Sequence, residues 1–217
     1  MDSLQIGIMM ESVQLSDIVG VDVFGNLSTE YVKALSELGA DFDKFMPLAT
    51  DMTFHWISTS LELAGMTPTM KIAPTVTYDN APRNLDILLI GGSAPSFRPA
   101  AADKFLKEAM QETKIVMTTC IGALWLASAG GLRGRKATTN RGALSLAKSL
   151  YPETEWLDQR WVVDGNIWTS GGAGAGIDMI VTYAKKHFHE AIVQAMVVDS
   201  LDFDPLPRGQ FYGGSSV

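Results

Sequence analysis

Residues 114–123 have the sequence Lys-Ile-Val-Met-Thr-Thr-Cys-Ile-Gly-Ala, and our fold prediction starts from this stretch. Lys114–Thr119 is apolar enough for a strand that is buried on both faces, as strands of a parallel sheet are. The small residues after Cys120 predict a helix over Gly122–Gly130. A strand that ends at a cysteine and passes at once into a helix is typical of a nucleophile elbow, a tight turn that lifts the reactive side chain above the sheet.

Strands and helices alternate on both sides of this elbow. The predicted strands are Gln5–Met10, Thr53–Ser60, Thr69–Val76, Leu85–Ile90 and the hairpin pair Trp161–Val163 and Ile167–Thr169. The predicted helices are Thr29–Gly39, Asp103–Glu112, Arg141–Leu150 and Ile177–His187. Residues 11–20 are predicted to be a loop, and the tail from Asp202 to lie on the surface. This alternation predicts a single α/β domain over residues 1–217, a sandwich with a mostly parallel central sheet.

Composition excludes several classes of protein. The 217 residues carry 17 Lys and Arg against 24 Asp and Glu, and a net charge of −7 argues against binding to nucleic acid. One cysteine excludes an intrachain disulfide and any multi-cysteine metal cluster. No apolar run is long enough to span a membrane, and the first residues lack the pattern of a secretory signal. We therefore expect a soluble, cytoplasmic protein that acts on a small molecule.

Cys120 is the first candidate for chemistry. A helix that begins directly after it would favour the thiolate, and the backbone amides that follow could stabilise an anion. The alternative is an inert cysteine that fills space in the core. The three histidines are poor partners: His55 lies in a predicted strand, and His187 and His189 lie at a helix end without metal-ligand spacing. We predict no metal site.

Carboxylates remain as proton carriers. Glu11 and Asp17 follow the first strand, and the loops after parallel strands open onto one edge of the sheet. We therefore expect Asp17, Gly91, Gly92 and Cys120 to meet there. The alternative for Asp17 is a helix N-cap before Ile18 and Val19.

Two glycine-rich stretches are candidates for binding a substrate or a cofactor. Gly91-Gly92-Ser93 could bring backbone N–H groups to a substrate anion. Residues 171–176 lack the dinucleotide-binding spacing because Ile177 stands where the third glycine would be, so we expect no cofactor there and predict close backbone packing instead.

At this point the sequence resembles the ThiJ/PfpI superfamily, and within it the isocyanide hydratase-like branch. Four stretches carry the resemblance and together span most of the chain, whereas the region from about Pro47 to Thr75 matches poorly. These stretches are Ile6–Met10 with Val13–Asp17, Leu85–Gly92, Cys120–Leu124 through Ala129–Thr139, and Val163–Asn166 with Gly171–Asp178.

The resemblance implies a flavodoxin-like fold, no cofactor and a homodimer. It also implies that Cys120 attacks an electrophilic carbon, that Asp17 handles the proton, and that the amides of Gly92 and Ile121 form an anion pocket. The predicted supporting or substrate-contacting residues are Gly91, Ser93, Asn140 and Gly172. Ile121 stands where the branch usually has Thr and Asn140 where it often has His. These two differences suggest a related reaction on a different, more apolar substrate.

Three functions are compatible with these residues. The first is a cysteine-dependent lyase or hydratase that converts an isocyanide to an N-formamide, in which Cys120 attacks or shuttles protons with Asp17. The second is a dedicated biosynthetic enzyme for cyclisation or elimination, with a pocket lined by several aromatic side chains. Candidates for such a lining are Trp56, Phe97, Trp125, Trp161, Trp168 and Tyr212. The third is a non-catalytic redox-sensing or stress-response protein.

Overall fold

A central seven-stranded sheet organises the chain, with strand order β10-β11-β7-β6-β1-β2-β5. The computed structural model describes residues 3–38, 41–205 and 209–212. The strands of this sheet are β1 (Leu4–Met9), β2 (Met52–Ser58), β5 (Val76–Thr77), β6 (Ile87–Ile90), β7 (Ile115–Thr118), β10 (Trp161–Asp164) and β11 (Ile167–Ser170). Every neighbouring pair is parallel except the hairpin β10–β11. The predicted mostly parallel sheet is confirmed.

Helices cover both faces of the sheet. They are α1 (Leu15–Ile18), α2 (Val21–Asn26), α3 (Thr29–Glu37), α4 (Ala100–Glu112), α5 (Gly122–Ser128), α6 (Leu144–Leu150), α7 (Ala173–His187) and α8 (Glu190–Val193). Shorter 3₁₀ turns occupy Asp43–Leu48, Pro95–Phe97 and Arg141–Ala143, and a π-helical turn, Gln194–Asp199, follows α8. Two small sheets complete the fold: β3 (Ala64–Met66) with β4 (Met70–Ile72), and β8 (Lys136–Ala137) with β9 (Glu155–Trp156).

The core divides into two layers because successive strand residues point to opposite faces. In β6, Ile87 and Leu89 pack with α1, α2 and α7, whereas Leu88 and Ile90 pack with α4, α5 and α6. The three-layer, flavodoxin-like sandwich is therefore confirmed. In the described part of the chain, no helix is long and apolar enough to cross a membrane.

The loop predicted over residues 11–20 is present over residues 11–14 and wrong from Leu15 onward. Residues from Leu15 onward form α1 and α2, and Ile18, Val21 and Phe24 are buried against the core at intervals of three residues. No side chain caps either helix, so packing on the core, and not a terminal signal, stabilises them. This packing fixes the orientation of Asp17.

The strand predicted over Thr69–Val76 is also wrong, because the segment divides at Pro74. Met70–Ile72 pairs antiparallel with β3, and Val76–Thr77 pairs parallel with β2 at the edge of the central sheet. Proline lacks the N–H that a continuous strand would need.

Smaller differences concern where elements begin. Helix α7 starts at Ala173, four residues before the predicted Ile177, and residues 190–199 form a helical segment that we did not predict. Residues 85 and 86 belong to the predicted strand but precede β6. The Asp86 carboxylate accepts a hydrogen bond from the backbone N–H of Gln5 at 2.7 Å. Gly39, the predicted helix stop, lies outside the described residues, as do residues 206–208 and 213–217 of the tail.

Candidate active site

Cys120 stands at a tight turn between β7 and α5. Its φ angle is 57°, a left-handed conformation that side chains other than glycine rarely adopt. The turn is closed by hydrogen bonds from Gly122 N to Thr119 O and from Thr119 N to Ile90 O, both 3.0 Å long. Gly122 is required here because a Cβ would overlap the carbonyl of Ile90. The predicted elbow geometry is therefore present, with backbone strain at the candidate nucleophile.

Asp17 reaches this turn from α1. Asp17 is 3% exposed, its Oδ2 accepts a hydrogen bond from Gly92 N at 3.0 Å, and its carboxylate lies close enough to Cys120 to raise the pKa of the thiol. The N-cap of α1 is Gln14, so the alternative role of Asp17 as an N-cap is wrong. The ends of β1, β6 and β7 thus bring together the residues that we expected to meet.

Glu11, the other carboxylate of the first loop, binds the end of β2. Its Oε1 accepts hydrogen bonds from Ser58 Oγ at 2.9 Å and from Thr59 N and Oγ1 at 2.7 and 2.6 Å. These bonds hold the end of β2. Asp17 is therefore the carboxylate that the fold supplies to the elbow.

The environment keeps protons on the Cys120–Asp17 pair. Burial raises the pKa of Cys120, and the negative charge of Asp17 raises it further, against lowering contributions from the Ile121 amide and Asn140. Burial also raises the pKa of Asp17, although the Gly92 amide and Cys120 act in the opposite direction. The Ile121 amide at the helix start does favour the thiolate, as we expected, but desolvation and the nearby carboxylate have the larger, opposite effect. The raised pKa favours the thiol form of Cys120.

Asn140 provides a second polar contact to the sulfur. Its Nδ2 donates to Cys120 Sγ at 3.4 Å, and its Oδ1 accepts from Gly142 N at 3.0 Å. The neighbouring Thr139 Oγ1 donates to the carbonyl of Cys120 at 3.0 Å. Thr139 and Asn140, which follow β8, therefore both hydrogen-bond Cys120. Asn140 lies where we expected a supporting residue.

The backbone amides of Gly92 and Ile121 both favour negative charge on this pair. Gly92 N donates a hydrogen bond to Asp17, and the Ile121 amide lowers the pKa of Cys120. A Cβ on Gly92 would lie 2.7 Å from Asp17 Oδ2 and 3.0 Å from Ile121 Cγ1. Whether these amides also hold a substrate anion stays a prediction.

The remaining expected residues have different surroundings. A Cβ on Gly91 would lie 3.1 Å from Ile18, so this glycine lets α1 approach β6 closely. Ser93 is buried, and its hydroxyl has no hydrogen-bond partner among the described residues. Gly172 is the N-cap of α7, and no described atom lies within 4 Å of a Cβ placed there. Gly176 is the glycine that packs against Thr119, next to Cys120.

The histidines lie elsewhere, as expected. His55 bonds Gln5 on the neighbouring strand at 2.8 Å, His187 stacks on Tyr183, and His189 caps α8. Among the described residues, no group of three His, Cys, Asp or Glu side chains is arranged to hold a metal ion.

An apolar cavity of about 420 Å³ borders the first loop and was not predicted. Its lining residues are Ser12, Gly65, Met66, Thr67, Thr69, Met70, Lys71 and Phe97. The hairpin β3–β4 forms one wall and is joined to the Asp17 loop by hydrogen bonds from Thr67 N to Val13 O and from Leu15 N to Thr67 O. Phe97 forms another wall, on the loop that continues from Gly92. The sequence indicated only that the region from about Pro47 to Thr75, which contributes most of the lining, resembles the family poorly.

The aromatic side chains do not surround this cavity. Trp125, Trp161 and Trp168 are at most 6% exposed and belong to the core. Of the six aromatic candidates, only Phe97 is among the residues that line the cavity. A pocket walled by several aromatic rings is therefore not found at this position.

Comparison with known proteins adds a family to this geometry. The sequence model of the DJ-1/PfpI family matches residues 28–186. The chain belongs to the DJ-1/PfpI family. Cys120 and Asn140 lie inside the matched residues, and Asp17 precedes them. The ThiJ/PfpI resemblance is confirmed.

The relatives include enzymes of two kinds. An isonitrile hydratase of Pseudomonas putida is 29% identical over 160 residues, which is 72% of this chain and 68% of the hydratase. The deglycase PfpI of Pyrococcus furiosus is 38% identical over 100 residues, which is 44% of this chain and 58% of the deglycase. A ThiJ/PfpI protein of Pseudomonas syringae has a similar structure, with a TM-score of 0.75 and 22% identity over 99% of this chain and 80% of that one. The sequence relatives support catalytic activity in general, and the structural likeness shows the fold.

Proposed function

We propose that the protein is a cofactor-free, cysteine-dependent hydratase that converts an isocyanide to an N-formamide. The observation that carries the proposal is the half-buried Cys120 thiol at a strained elbow, beside a buried Asp17 carboxylate that accepts a hydrogen bond from Gly92 N and raises the pKa of the thiol. Similarity to an isonitrile hydratase supports the same reaction.

The reaction balances with these two side chains alone. As the sulfur of Cys120 attacks the terminal carbon of R–NC, Asp17 accepts the thiol proton and returns it to that carbon, which gives a thioimidate, R–N=CH–S–Cys. Water then adds to the C=N bond: its oxygen bonds the carbon, and one of its protons passes through Asp17 to nitrogen. The tetrahedral adduct R–NH–CH(OH)–S–Cys collapses as the C–S bond breaks, and its hydroxyl proton passes through Asp17 to sulfur, which releases R–NH–CHO and restores the thiol. Asp17 acts as base and acid in turn because its pKa is raised towards the working range.

A variant of this mechanism needs no covalent bond. In it, Cys120 and Asp17 only pass protons between water and the isocyanide. Mass spectrometry of the protein after a rapid quench distinguishes the two, because only covalent attack adds the mass of the substrate to Cys120.

We further propose that the apolar cavity holds the hydrocarbon substituent of the isocyanide. Met66, Met70 and Phe97 supply apolar surface, and methionine side chains adapt to irregular shapes. Exchange of Met66 for Asn should raise KM for a large apolar isocyanide more than for a short one. An equal change for both would contradict the assignment of the cavity.

Turnover of alkyl and aryl isocyanides, followed as formamide by NMR, tests the reaction. Cys120→Ser should lower kcat/KM by at least about 10²–10⁴-fold, the usual contribution of one positioned proton-transfer group. A glyoxal and a glycated amino acid serve as comparison substrates, because two relatives are deglycases. Near-normal turnover by Cys120→Ser, or turnover of the glyoxal alone, would sink the isocyanide proposal.

We also propose that the protein is a homodimer, as the family resemblance implies. Leu61, Leu63 and Phe97 are 58–61% exposed near the β3–β4 hairpin, an arrangement that suits a contact with a second copy. Sedimentation analysis of the purified chain at several concentrations would show a dimer mass, and a monomer at all of them would refute this.

A further inference from the structure

Residues 209–212 lie against the beginning of β10. Arg160 Nη1 donates to Gly209 O at 2.6 Å, and the Arg160 amide donates to Gln210 O at 2.9 Å. Gln210 Nε2 in turn donates to Trp161 O at 2.8 Å. Three hydrogen bonds therefore tie this segment, which we call the strap, to the edge of the central sheet that leads into β11.

Tyr212 at the end of the strap lies near Thr139 and Arg141, the residues on either side of Asn140. Its hydroxyl lies 2.5 Å from where a Cβ of Gly171 would be, so the absence of a side chain at Gly171 makes room for it. The same Cβ position is 3.7 Å from the carbonyl of Thr139. The phenol ring faces the guanidinium of Arg141, whose carbon lies 4.4 Å from the ring centroid.

Arg141 follows Asn140, which donates to the sulfur of Cys120. Asn140 makes this contact from a turn that its own Oδ1 closes through the amide of Gly142. Arg141 is held on the other side by Asp158, whose Oδ2 accepts from its Nε and Nη2 at 3.2 and 2.9 Å. The orientation of the Asn140 amide thus depends on a turn whose central residue is fixed between Asp158 and the Tyr212 ring.

We propose that Tyr212 is a positioning residue for the reactive cysteine: its ring fixes Arg141 and thereby the turn from which Asn140 donates a hydrogen bond to Cys120. This donor stabilises the thiolate over the thiol, so its loss makes the cysteine harder to ionise. The inference rests on Cys120 being the reactive group of the proposed function, but it does not depend on the identity of the substrate.

The test uses the rate of alkylation of the intact protein by iodoacetamide as a function of pH. Cys120 is the only cysteine, so the added mass reports on this residue alone. We expect Asn140→Ala and Tyr212→Ala each to raise the apparent pKa of Cys120 by about half a unit to one unit, the size of one hydrogen bond. Tyr212→Phe keeps the ring over Arg141 and should leave the profile unchanged. Phe211→Ala removes the neighbouring, exposed ring and is the matched control.

A double variant decides whether Tyr212 acts through Asn140. Asn140→Ala with Tyr212→Ala should shift the profile no further than Asn140→Ala alone. Additive shifts in the double variant would overturn the proposal. So would an unchanged pH profile of alkylation in Tyr212→Ala when Asn140→Ala shifts it. The same set in an Asp17→Asn background removes the other titrating side chain that contacts the sulfur, and the shifts should persist there.

Folding is followed by thermal unfolding of each variant. If Tyr212→Ala unfolds, Arg141→Met removes the same contact from its other partner, and it should give the same shift. Alkylation needs no substrate, so absence of isocyanide turnover in the parent protein would refute the proposed function and leave this inference standing on its own measurement.

Discussion

The chemistry of the site depends on how Cys120 and Asp17 share their protons. Burial is the first cause of the raised pKa of both groups, and the carboxylate raises that of the thiol further. Both groups are therefore biased towards their protonated forms, and in the proposed mechanism Asp17 accepts the thiol proton as the sulfur attacks. A sequence can show which residues follow each strand, but it cannot show this balance, because desolvation depends on the finished packing.

Asp17→Asn should separate reactivity from catalysis. Loss of the negative charge lowers the pKa of Cys120, so alkylation at neutral pH becomes faster, whereas isocyanide turnover falls by at least about 10²-fold because the proton carrier is gone. Asp22→Asn, on the neighbouring helix α2, is the control and should change neither rate. Slower alkylation in Asp17→Asn would contradict the assigned contact.

Peroxide sensitivity tests the non-catalytic alternative. Because the thiolate is the form that oxidises, a raised pKa makes Cys120 slow to react with hydrogen peroxide at neutral pH. We expect the mass increase from oxidation to appear slowly in the parent protein and faster in Asp17→Asn. Rapid formation of a stable sulfinate, together with no turnover on isocyanides or glyoxals, would instead favour a redox sensor.

At the scale of elements, the elbow was predictable and the helices beside it were not. The apolar run before Cys120 predicts a buried strand, and the small residues after it predict a helix. Both signals lie within residues 114–123, so neighbouring residues alone predict the turn between them. Helix α1 has four residues and no side-chain cap, so it exists because Ile18 packs on the core. The cavity beside it could not be predicted either, because its walls come from the separate segments that carry Ser12, Met66 and Phe97.

The junction of β6 and α5 gives a test of the elbow. Gly122→Ala would place a methyl group against the Ile90 carbonyl, which is backbone and cannot turn aside, so we expect a loss of about 1–3 kcal/mol in unfolding free energy and a displaced Cys120. Gly174→Ala is the matched control: no described atom lies within 4 Å of its Cβ, and in helix α7 it should stabilise by about 0.5–1 kcal/mol. Urea unfolding of both variants measures the difference. Equal effects would show that the elbow is not closely packed.

At the scale of the molecule, the alternation of strands and helices predicted the layered architecture. The turn sequence Asp164-Gly165-Asn166 predicted the hairpin of β10 and β11. Long-range polar contacts had no such local pattern. Tyr212 meets Arg141, and Arg160 meets Asp178, across many residues of chain. These contacts join the strap, the end of the sheet and α7 around the site, so the sequence predicted that Cys120 and Asp17 meet but not the structure that holds them.

The ion pair of Arg160 with Asp178 is the buried electrostatic link in this arrangement. Asp178 is fully buried, Arg160 is 9% exposed, and Nη2 lies 2.5 Å from Oδ2. Asp178→Asn leaves the buried guanidinium without its opposite charge, so we expect the unfolding free energy to fall by about 3–5 kcal/mol. Asp41→Asn breaks the exposed pair with Lys44 and should cost less than about 1 kcal/mol. Urea midpoints at an unchanged slope measure both losses, and similar small values for the two variants would show that the link around Arg160 does not stabilise the fold.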